Sequence, residues 1–540
     1  MTDAAPFDTD LLVIGSGCAA LTAALRASAG GARVTIMEKA ELAGGASAMS
    51  GGGIWIPANH HARAAGHPDS PEEALDYLRA TAPSGWHNAE DMLWRRFVST
   101  APSMLEFVES NSPLRFALTD EPDPMAEFSG GKEIGRMVSP RPLSRRILGP
   151  YAKTVRRSTL PQILTYQEMI GLDPYHRPIE TGLRLLPVLA RRALSDSAAQ
   201  GGALVVGLLK ACLDRSCRLL LATRATSLIF DDRGERVVGA SALQGGTALT
   251  IRARRGVVLA TGGFEWNAEL VARHFGGPFE RIGSPRSNEG DGQLMAEAAG
   301  ARLERMDQAN IYPLLPATYQ GNPSGLPATF QAEPHAIVVD RHGRRFVSEY
   351  SYNFGEALNR RDPATGELLH APAHLIADSR YMRRSAPFRW YSAQAKDWVM
   401  KAGSLEEIAR RIDVPAARLG ETVDRFNGFC DAGRDEDFRR GETVWERYKS
   451  GHGGTAFGKI ERPPFYAMSI NRSTVGTKGG ARTNDKAQAL RADDSIIDGL
   501  FCAGNVMANP IGTRAVGAGT TLGPCMTWGF VAAETALGKL

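Results

Sequence analysis

The segment 10–38 constrains this chain more than any other part of its sequence. An apolar run is followed by Gly15-x-Gly17-x-x-Ala20, an alanine- and leucine-rich stretch, a second apolar run and Glu38. This order predicts a buried strand, a tight turn at Gly15, a close backbone approach to a pyrophosphate at Gly17, a helix over 18–29 that Ala20 allows to pack closely, and a second strand. The helix N-terminus favours phosphates, and Glu38 can accept hydrogen bonds from an adenosine ribose. The segment therefore predicts a dinucleotide-binding βαβ unit.

Length and composition are typical of an ordinary globular protein. The chain has 540 residues, of which 23% are charged and 43% hydrophobic, and its length predicts two domains. A net charge of +4 is too dilute to indicate a nucleic-acid partner. No apolar run approaches the ~20 residues of a membrane helix, and the N-terminus does not resemble a secretory signal. The six cysteines lack C-x-x-C spacing, which predicts reduced thiols, no metal site and a cytoplasmic protein.

The order of strand, helix and glycine patterns predicts one nucleotide domain built from both ends of the chain. Strand-helix patterns occupy most of 1–289, and short strands with a closing helix occupy 456–540, while 290–455 has a different composition. Residues 113–190, rich in proline and arginine, are predicted to be irregular. We therefore predict an α/β fold with a Rossmann-like FAD-binding domain, formed by 1–289 and 456–540, and an inserted α+β substrate or catalytic domain, the cap, formed by 290–455.

Four glycine-rich features favour FAD over NAD as the dinucleotide. They are the loop 44–53, the turn Ala260-Thr-Gly-Gly263, the element Gly290-Asp-Gly292 and a C-terminal loop that runs into a helix near Pro524. Glycines let backbone N–H groups lie along the cofactor where side chains would obstruct the contact.

Four further motifs follow in the same chain. They are Gly343-Arg-Arg-Phe-Val-Ser-Glu349, Gly476-Thr-Lys-Gly-Gly480, Gly499-Leu-Phe-Cys-Ala-Gly-Asn505 and Gly517-Ala-Gly-Thr-Thr-Leu-Gly-Pro524. With these motifs the sequence resembles the fumarate reductase/succinate dehydrogenase flavoprotein superfamily over nearly its whole length. Within it, the sequence is most similar to the 3-ketosteroid Δ1-dehydrogenases and related cyclic-ketone dehydrogenases. The resemblance implies an FAD-dependent oxidoreductase acting on CH–CH groups.

The resemblance also implies where the cofactor lies. The loop 44–53 contains no histidine, which covalently flavinylated relatives carry there, so we expect noncovalent FAD. Asn505 and the loop 517–522 would hold the flavin pyrimidine edge, and the following helix would stabilise the negative charge of reduced flavin. The residues predicted to contact FAD are Gly15, Gly17, Ala19, Ala20, Glu38, Lys39, Gly45, Ala46, Ser47, Ser50, Gly51, Gly52, Gly53, Thr261, Gly262, Asp291, Gly504, Asn505, Gly519, Thr521 and Leu522.

Two reactions compete at the flavin. In desaturation of a ring ketone, a base removes an α-proton, a β-hydride leaves to flavin N5 and donors stabilise the carbonyl oxygen. In the alternative, a fumarate-reductase-like enzyme reduces an α,β-unsaturated acid or ketone. The acid reductases carry an arginine where this sequence has Asn353 and a histidine where it has Gly476. Both departures favour desaturation, although Arg514 matches a carboxylate-binding arginine and leaves a substrate carboxylate open.

The likeness to ketosteroid dehydrogenases is also incomplete. Their tyrosine base corresponds to Asn353 and their carbonyl-polarising tyrosine to Ala515, whereas their backbone donor corresponds to Gly519. These departures indicate a smaller cyclohexanone-type ring or relocated tyrosines. A phenol with a pKa near ~10 must be lowered or desolvated to act as a base. The predicted catalytic groups are Tyr352, Tyr350, Tyr166, Arg514 and Gly519, with Tyr175 and Tyr312 as further candidates for the base.

We therefore predict FAD-dependent α,β-dehydrogenation of a cyclic ketone, which is a 3-ketosteroid or a smaller ring. Its expected partners are the small-molecule ring ketone and an electron acceptor, which is a quinone, a dye-like carrier or oxygen.

Overall fold

The computed structural model describes residues 8–451 and 454–540. Residues 1–7, in which we predicted no secretory signal, lie outside the described residues. In these ranges no helix is long and apolar enough to cross a membrane. The α-helices are Cys18–Ala29, His60–Ala64, Pro71–Thr81, His87–Asn111, Tyr166–Leu172, Pro178–Leu194, Gln200–Asp214, Ala268–Phe275, Asp291–Ala298, Phe354–Asn359, Ser379–Arg384, Ala386–Gln394, Leu405–Arg411, Ala416–Ala432, Val444–Gly451 and Leu522–Ala536.

Short strands and three 3₁₀ segments connect these helices. The 3₁₀ segments are Gly45–Met49, Arg145–Lys153 and Gly504–Val506. The strands are Leu11–Ile14, Val34–Met37, Ile54–Trp55, Phe116–Leu118, Met137–Pro140, Leu143–Ser144, Ser197–Ala198, Arg218–Leu220, Thr223–Phe230, Val237–Gln244, Thr247–Arg252, Val257–Leu259, Leu303–Glu304, Ala309–Ile311, Leu314–Tyr319, Asn322–Pro327, Ala336–Val339, His374–Ala377, Val399–Ala402, Phe465–Ser469, Thr474–Thr477, Gly480–Ala481, Gln488–Leu490 and Ile496–Cys502.

The first sheet has six strands, in the spatial order 488–490, 496–502, 257–259, 11–14, 34–37 and 218–220. Its strands are parallel except for the edge strand 488–490. Val13 lies between Ile36 and Val258, and every residue of 11–14 is buried, as expected for a central parallel strand covered on both faces. Because 496–502 pairs with 257–259, segments far apart in the sequence build one sheet, and the predicted α/β fold is confirmed.

The second sheet has four antiparallel strands, in the order 336–339, 374–377, 465–469 and 399–402. Its third strand follows residue 455, where we placed the end of the inserted domain. The hydrophobic cluster beside this sheet also contains residues from before position 290, which are Phe264, Leu270, Val271, Phe275 and Phe279. The division at 290 and 455 stays a prediction, because composition does not reveal which apolar side chains share a core.

Residues 113–190 differ from the expectation of irregular structure. Two helices lie there, and Pro178 begins the second, where its missing N–H has no intrahelical partner to lose. The first begins with a capping box, in which Thr165 Oγ accepts from the Glu168 N–H and the Glu168 carboxylate accepts from the Thr165 N–H. The proline content led to a prediction of irregular structure here, because a proline in the first turn marks the beginning of a helix whereas elsewhere it marks a break in one.

Candidate active site

A cavity of about 640 Å³ opens at the carboxyl ends of the central strands of the first sheet. In open α/β sheets this edge is where cofactors bind. Most of the residues predicted to contact FAD line this cavity, which are Gly15, Gly17, Ala19, Glu38, Lys39, Gly45, Ala46, Ser47, Ser50, Gly51, Thr261, Gly262, Asp291, Gly504, Asn505, Thr521 and Leu522. Gly52, Gly53 and Gly519 line an adjoining cavity. Ala20 lines neither cavity and is buried within the helix Cys18–Ala29.

The turn at Gly15 leaves no room for a side chain. Its φ is +114°, and a Cβ there would lie 2.2 Å from the Ala260 carbonyl oxygen. The helix that follows begins after Gly17, which offers no side-chain cap; the Cys18 N–H donates to Ser47 Oγ at 3.0 Å, and the N-terminus of the helix lies at the cavity. This geometry fits a pyrophosphate.

Glu38, which we predict to bind the adenosine ribose, lines the same cavity. Its carboxylate accepts from Ser16 Oγ at 2.5 Å and from the Ala40 N–H at 2.9 Å. Burial raises the pKa of Glu38. Two carboxylate oxygens provide about four acceptor sites, so these two bonds leave acceptor capacity for ribose hydroxyls. Lys39 beside it is held by Glu289 and Asp291, at 2.8 Å and 3.0 Å.

Thr261 supplies an independent test of the fit to FAD. Its Oγ1 is buried and lacks a hydrogen-bond partner among the described residues, although the residue lines the cavity. Buried hydroxyls are normally paired, so this atom fits a polar ligand that is part of the complete site. Together with the glycine turn and Glu38, it indicates that the residues present suit a bound dinucleotide.

The adjoining cavity measures about 280 Å³ and shares Tyr166, Tyr312 and Thr521 with the first. Its floor is the backbone of 517–519, which rests on strand 54–55. A Cβ at Gly519 would lie 2.6 Å from the Gly53 carbonyl oxygen, and φ there is +85°. Only glycine therefore allows this loop to lie so close to Gly53 and the strand 54–55.

Three tyrosines meet in this second cavity, namely Tyr166, Tyr312 and Tyr352. Burial raises the pKa of Tyr166 and that of Tyr352 well above the usual phenol range. Tyr350 lies outside both cavities, with its ring 4.9 Å from the Arg440 guanidinium. Tyr175 also lies outside, and it packs against the hydrophobic cluster of the second sheet.

The tyrosine ring of residue 166 sits at the start of the helix Tyr166–Leu172. Its Oη donates to Glu121, at 3.0 Å from Oε1 and 2.9 Å from Oε2. Glu121 is only 7% exposed, and burial raises its pKa to about 7, although the Tyr166 hydrogen bond opposes this. The cavity therefore has a buried carboxyl directly behind one of its phenols.

Arg514 lines neither cavity, but it lies beside the second one. Its Nε donates to both oxygens of Glu356, at 3.1 Å and 3.0 Å, and Glu356 does line that cavity. Lys478 holds the loop that precedes Arg514, because its buried ammonium donates to the Gly512 carbonyl at 2.7 Å. Burial lowers the pKa of Lys478 to about 8.

The family whose description is FAD binding domain matches residues 10–522. The chain belongs to this FAD-binding family. It is 35% identical to a 4-oxocyclohexanecarboxylate 2-dehydrogenase of Sinomonas cyclohexanicum, over 98% of this chain and 93% of that protein. It is 34% identical to a 3-oxosteroid 1-dehydrogenase of Mycolicibacterium smegmatis, over 97% and 96% of the two chains.

A solved structure shows the same likeness in three dimensions. The 3-ketosteroid delta1-dehydrogenase from Sterolibacterium denitrificans, in complex with 1,4-androstadiene-3,17-dione, matches with a TM-score of 0.88 and 30% identity. The alignment covers 98% of this chain and 100% of that one. The prediction of FAD as the cofactor of this FAD-binding protein is confirmed, and so is its likeness to the ketosteroid dehydrogenases. Noncovalent attachment and the individual FAD contacts stay predictions.

Sequence reasoning missed Glu121. It lies in Asp120-Glu121-Pro-Asp123, just after the strand Phe116–Leu118, in a region that we predicted to be irregular. The only local signal was this group of three carboxylates around a proline. Nothing in the sequence pairs it with Tyr166.

We predicted no metal site, and one group of side chains in the structure is relevant to that prediction. Among residues 8–451 and 454–540, one group has donor atoms close enough to hold an ion, namely His60, His61 and Glu109. Both imidazole Nε2 atoms lie near Glu109 Oε2, at 2.8 Å and 3.0 Å. The group lines neither cavity, so it has no part in the site described above.

Proposed function

We propose that this protein is an FAD-dependent dehydrogenase that introduces a C=C bond next to the carbonyl of a ring ketone. The observation that carries the proposal is the second cavity, where partly buried tyrosines and a glycine backbone meet beside the cofactor cavity. The relatives named for 4-oxocyclohexanecarboxylate and 3-oxosteroid dehydrogenation support the same chemistry.

The side chains of the cavity account for the proton half of the reaction. Bound FAD supplies the two-electron oxidation by accepting the β-hydride. Tyr166, Tyr312 and Tyr352 are the phenols that reach the cavity, and one of them takes the α-proton, while the Gly519 N–H polarises the carbonyl oxygen.

The substrate in this proposal is an uncharged ring ketone, which is a cyclohexanone-type ring or a 3-ketosteroid. The Arg514 guanidinium is already paired with Glu356, so it is not free to attract a carboxylate. The protein passes its electrons to a quinone, a dye-like carrier or oxygen, and it works in the cytoplasm.

Anaerobic flavin bleaching tests the proposal. Oxidised enzyme is mixed with a 3-oxosteroid, a cyclohexanone or 4-oxocyclohexanecarboxylate, and flavin absorbance is followed by stopped flow. We expect at least one ketone to bleach the flavin. If none does, while dithionite-reduced enzyme is reoxidised by fumarate or an enone, the protein is a reductase and the proposal is wrong.

A further inference from the structure

We propose that Glu121 is the proton acceptor behind Tyr166, so that the α-proton of the ketone leaves the cavity through the Tyr166 hydroxyl to the Glu121 carboxylate. This inference rests on the proposed function and assigns its base. Glu121 does not line the cavity, so it acts through Tyr166 rather than on the substrate.

The geometry of the pair is that of a proton transfer already aligned. The Tyr166 hydroxyl lies within hydrogen-bond distance of both Glu121 oxygens, at 3.0 Å and 2.9 Å. Gly51 also holds Tyr166 in place, because the tyrosine ring packs over this glycine, where a Cβ would lie 3.1 Å from the ring. The phenol therefore has the cavity on one side and the carboxylate on the other.

In the part of the chain that the structure describes, no positively charged group donates a hydrogen bond to the Glu121 carboxylate. The titratable groups that interact with it are Tyr166, Tyr312, Tyr352, Tyr448 and the ammonium of Lys449. Among the described residues, the one hydrogen-bond partner that opposes the effect of burial on its pKa is Tyr166. A carboxylate held mainly by phenols accepts a proton more readily than one neutralised by an arginine.

The high pKa of the buried phenols makes such an acceptor necessary. A phenolate does not pre-exist at Tyr166 at neutral pH, so the hydroxyl takes the α-proton only if its own proton leaves in the same event. Burial places the pKa of Glu121 at about 7, which suits a group that accepts a proton during turnover and releases it afterwards.

The substrate Cα–H bond breaks and a new O–H bond forms on Tyr166 Oη, while the original Tyr166 O–H bond breaks and its proton joins a Glu121 oxygen. The electron pair of the Cα–H bond forms the C=C bond as the β-hydride leaves to FAD, which is the oxidant. Tyr166 ends the step as a neutral phenol, and Glu121 later loses its proton to solvent.

Two measurements on Glu121→Gln test the assignment. The first is the pH profile of the first-order flavin-bleaching rate with a cyclohexanone. The second is exchange of the ketone α-protons for deuterium in D₂O, followed by NMR on dithionite-reduced holoenzyme, in which no hydride transfer occurs. Glutamine can occupy the same site and bond to the Tyr166 hydroxyl but cannot take a proton. We expect both rates to fall about 100-fold.

The wild-type bleaching rate rises with pH through about 7 as the Glu121 carboxylate ionises, and this limb disappears in Glu121→Gln. Glu121→Asp keeps the limb and restores part of the rate. Asp120→Asn is the matched control, because Asp120 is exposed and bonds only to the Gln167 side-chain amide in this structure; it should leave the rate and the limb unchanged. A structural role alone would lower the rate without removing the limb.

The inference is overturned if Glu121→Gln retains its flavin spectrum, the wild-type rates and the pH limb. It is also overturned if adding Glu121→Gln to Tyr166→Phe lowers the rate as much as it does in the wild type, because two residues on one proton path are not additive. If wild-type enzyme neither bleaches nor exchanges with any ketone, the proposed function itself fails, and this result is distinct from both others.

Discussion

Asn353 binds both backbone polar groups of Ala515. Its Oδ1 accepts from the Ala515 N–H at 2.8 Å, and its Nδ2 donates to the Ala515 carbonyl at 3.0 Å. These are the two positions at which the resemblance to the ketosteroid dehydrogenases implies tyrosines. Asn353 and Ala515 form one structural unit, in which the amide ties the loop 513–519 to the helix Phe354–Asn359.

Asn353→Ala breaks this unit. Two hydrogen bonds to a partly buried backbone disappear, which costs about 1–2 kcal/mol of stability and loosens the loop that carries Gly519. We expect kcat for a ring ketone to fall at least tenfold, with the flavin spectrum unchanged. Steady-state assays with a dye acceptor measure this. Asn322→Ala, in an exposed turn, should match the wild type. An unaltered kcat in Asn353→Ala means that the loop does not need this amide.

The parts of the site that the sequence predicts are those carried by neighbours in the chain. Gly15 and Glu38 belong to one βαβ unit, so local spacing placed both at the cofactor cavity. The bond between Asn353 and Ala515 joins residues 162 positions apart, and that between Tyr166 and Glu121 spans 45 positions. No periodicity carries such information, since these contacts arise only when loops fold over the sheets.

The sequence makes Tyr352 and Tyr350 both candidates for the base, and the structure separates their positions. Tyr352 lines the second cavity, with its ring edge-on to Trp445 at 4.7 Å, while Tyr350 is packed away from it. We expect Tyr352→Phe to lower the flavin-bleaching rate by about 100-fold or more, because it removes a phenol that can donate a hydrogen bond to the carbonyl oxygen of the ketone.

Tyr350→Phe is the matched control for Tyr352→Phe. It removes a hydroxyl of the same type two positions away, outside both cavities, and should leave the bleaching rate within twofold of wild type. Rapid mixing under anaerobic conditions compares the three proteins. A large loss in Tyr350→Phe, with none in Tyr352→Phe, would reverse this assignment.

Gly15→Ala should abolish FAD binding. The new Cβ would lie 2.2 Å from the Ala260 carbonyl, so the turn must move away from the site of the pyrophosphate. Gly31→Ala provides the control, because Gly31 also has a positive φ of +86° but has open space around its Cβ position. Its backbone strain costs about 1–2 kcal/mol without affecting the cofactor. The ratio of flavin to protein absorbance after purification measures the effect, and full occupancy in Gly15→Ala would contradict it.

Glu356→Gln should change substrate preference. Removing this carboxylate frees the Arg514 guanidinium beside the cavity, so the KM for 4-oxocyclohexanecarboxylate should fall roughly fivefold while that for an uncharged cyclohexanone stays the same. Glu269→Gln, at an exposed position in the first turn of the helix Ala268–Phe275, should alter neither value. Equal changes for both ketones would show that the pair only supports the loop.

Lys478 gives the stability of the protein a specific pH dependence. Burial lowers its folded pKa to about 8, whereas the pKa of an unfolded lysine is about 10.4. Between these values the unfolded state binds more protons than the native state, so the stability contributed by this residue rises with pH. The unfolding free energy of the wild type, minus that of Lys478→Met, should rise by about 1.5 kcal/mol from pH ~8 to pH ~9.5. Urea unfolding followed by tryptophan fluorescence measures both proteins, and subtracting one from the other cancels the remaining titrating groups.

Lys401→Met, at an exposed position, should show no such rise. A difference that stays flat or falls would mean that Lys478 is charged in the folded protein throughout this range, and that the Gly512 carbonyl compensates for its burial.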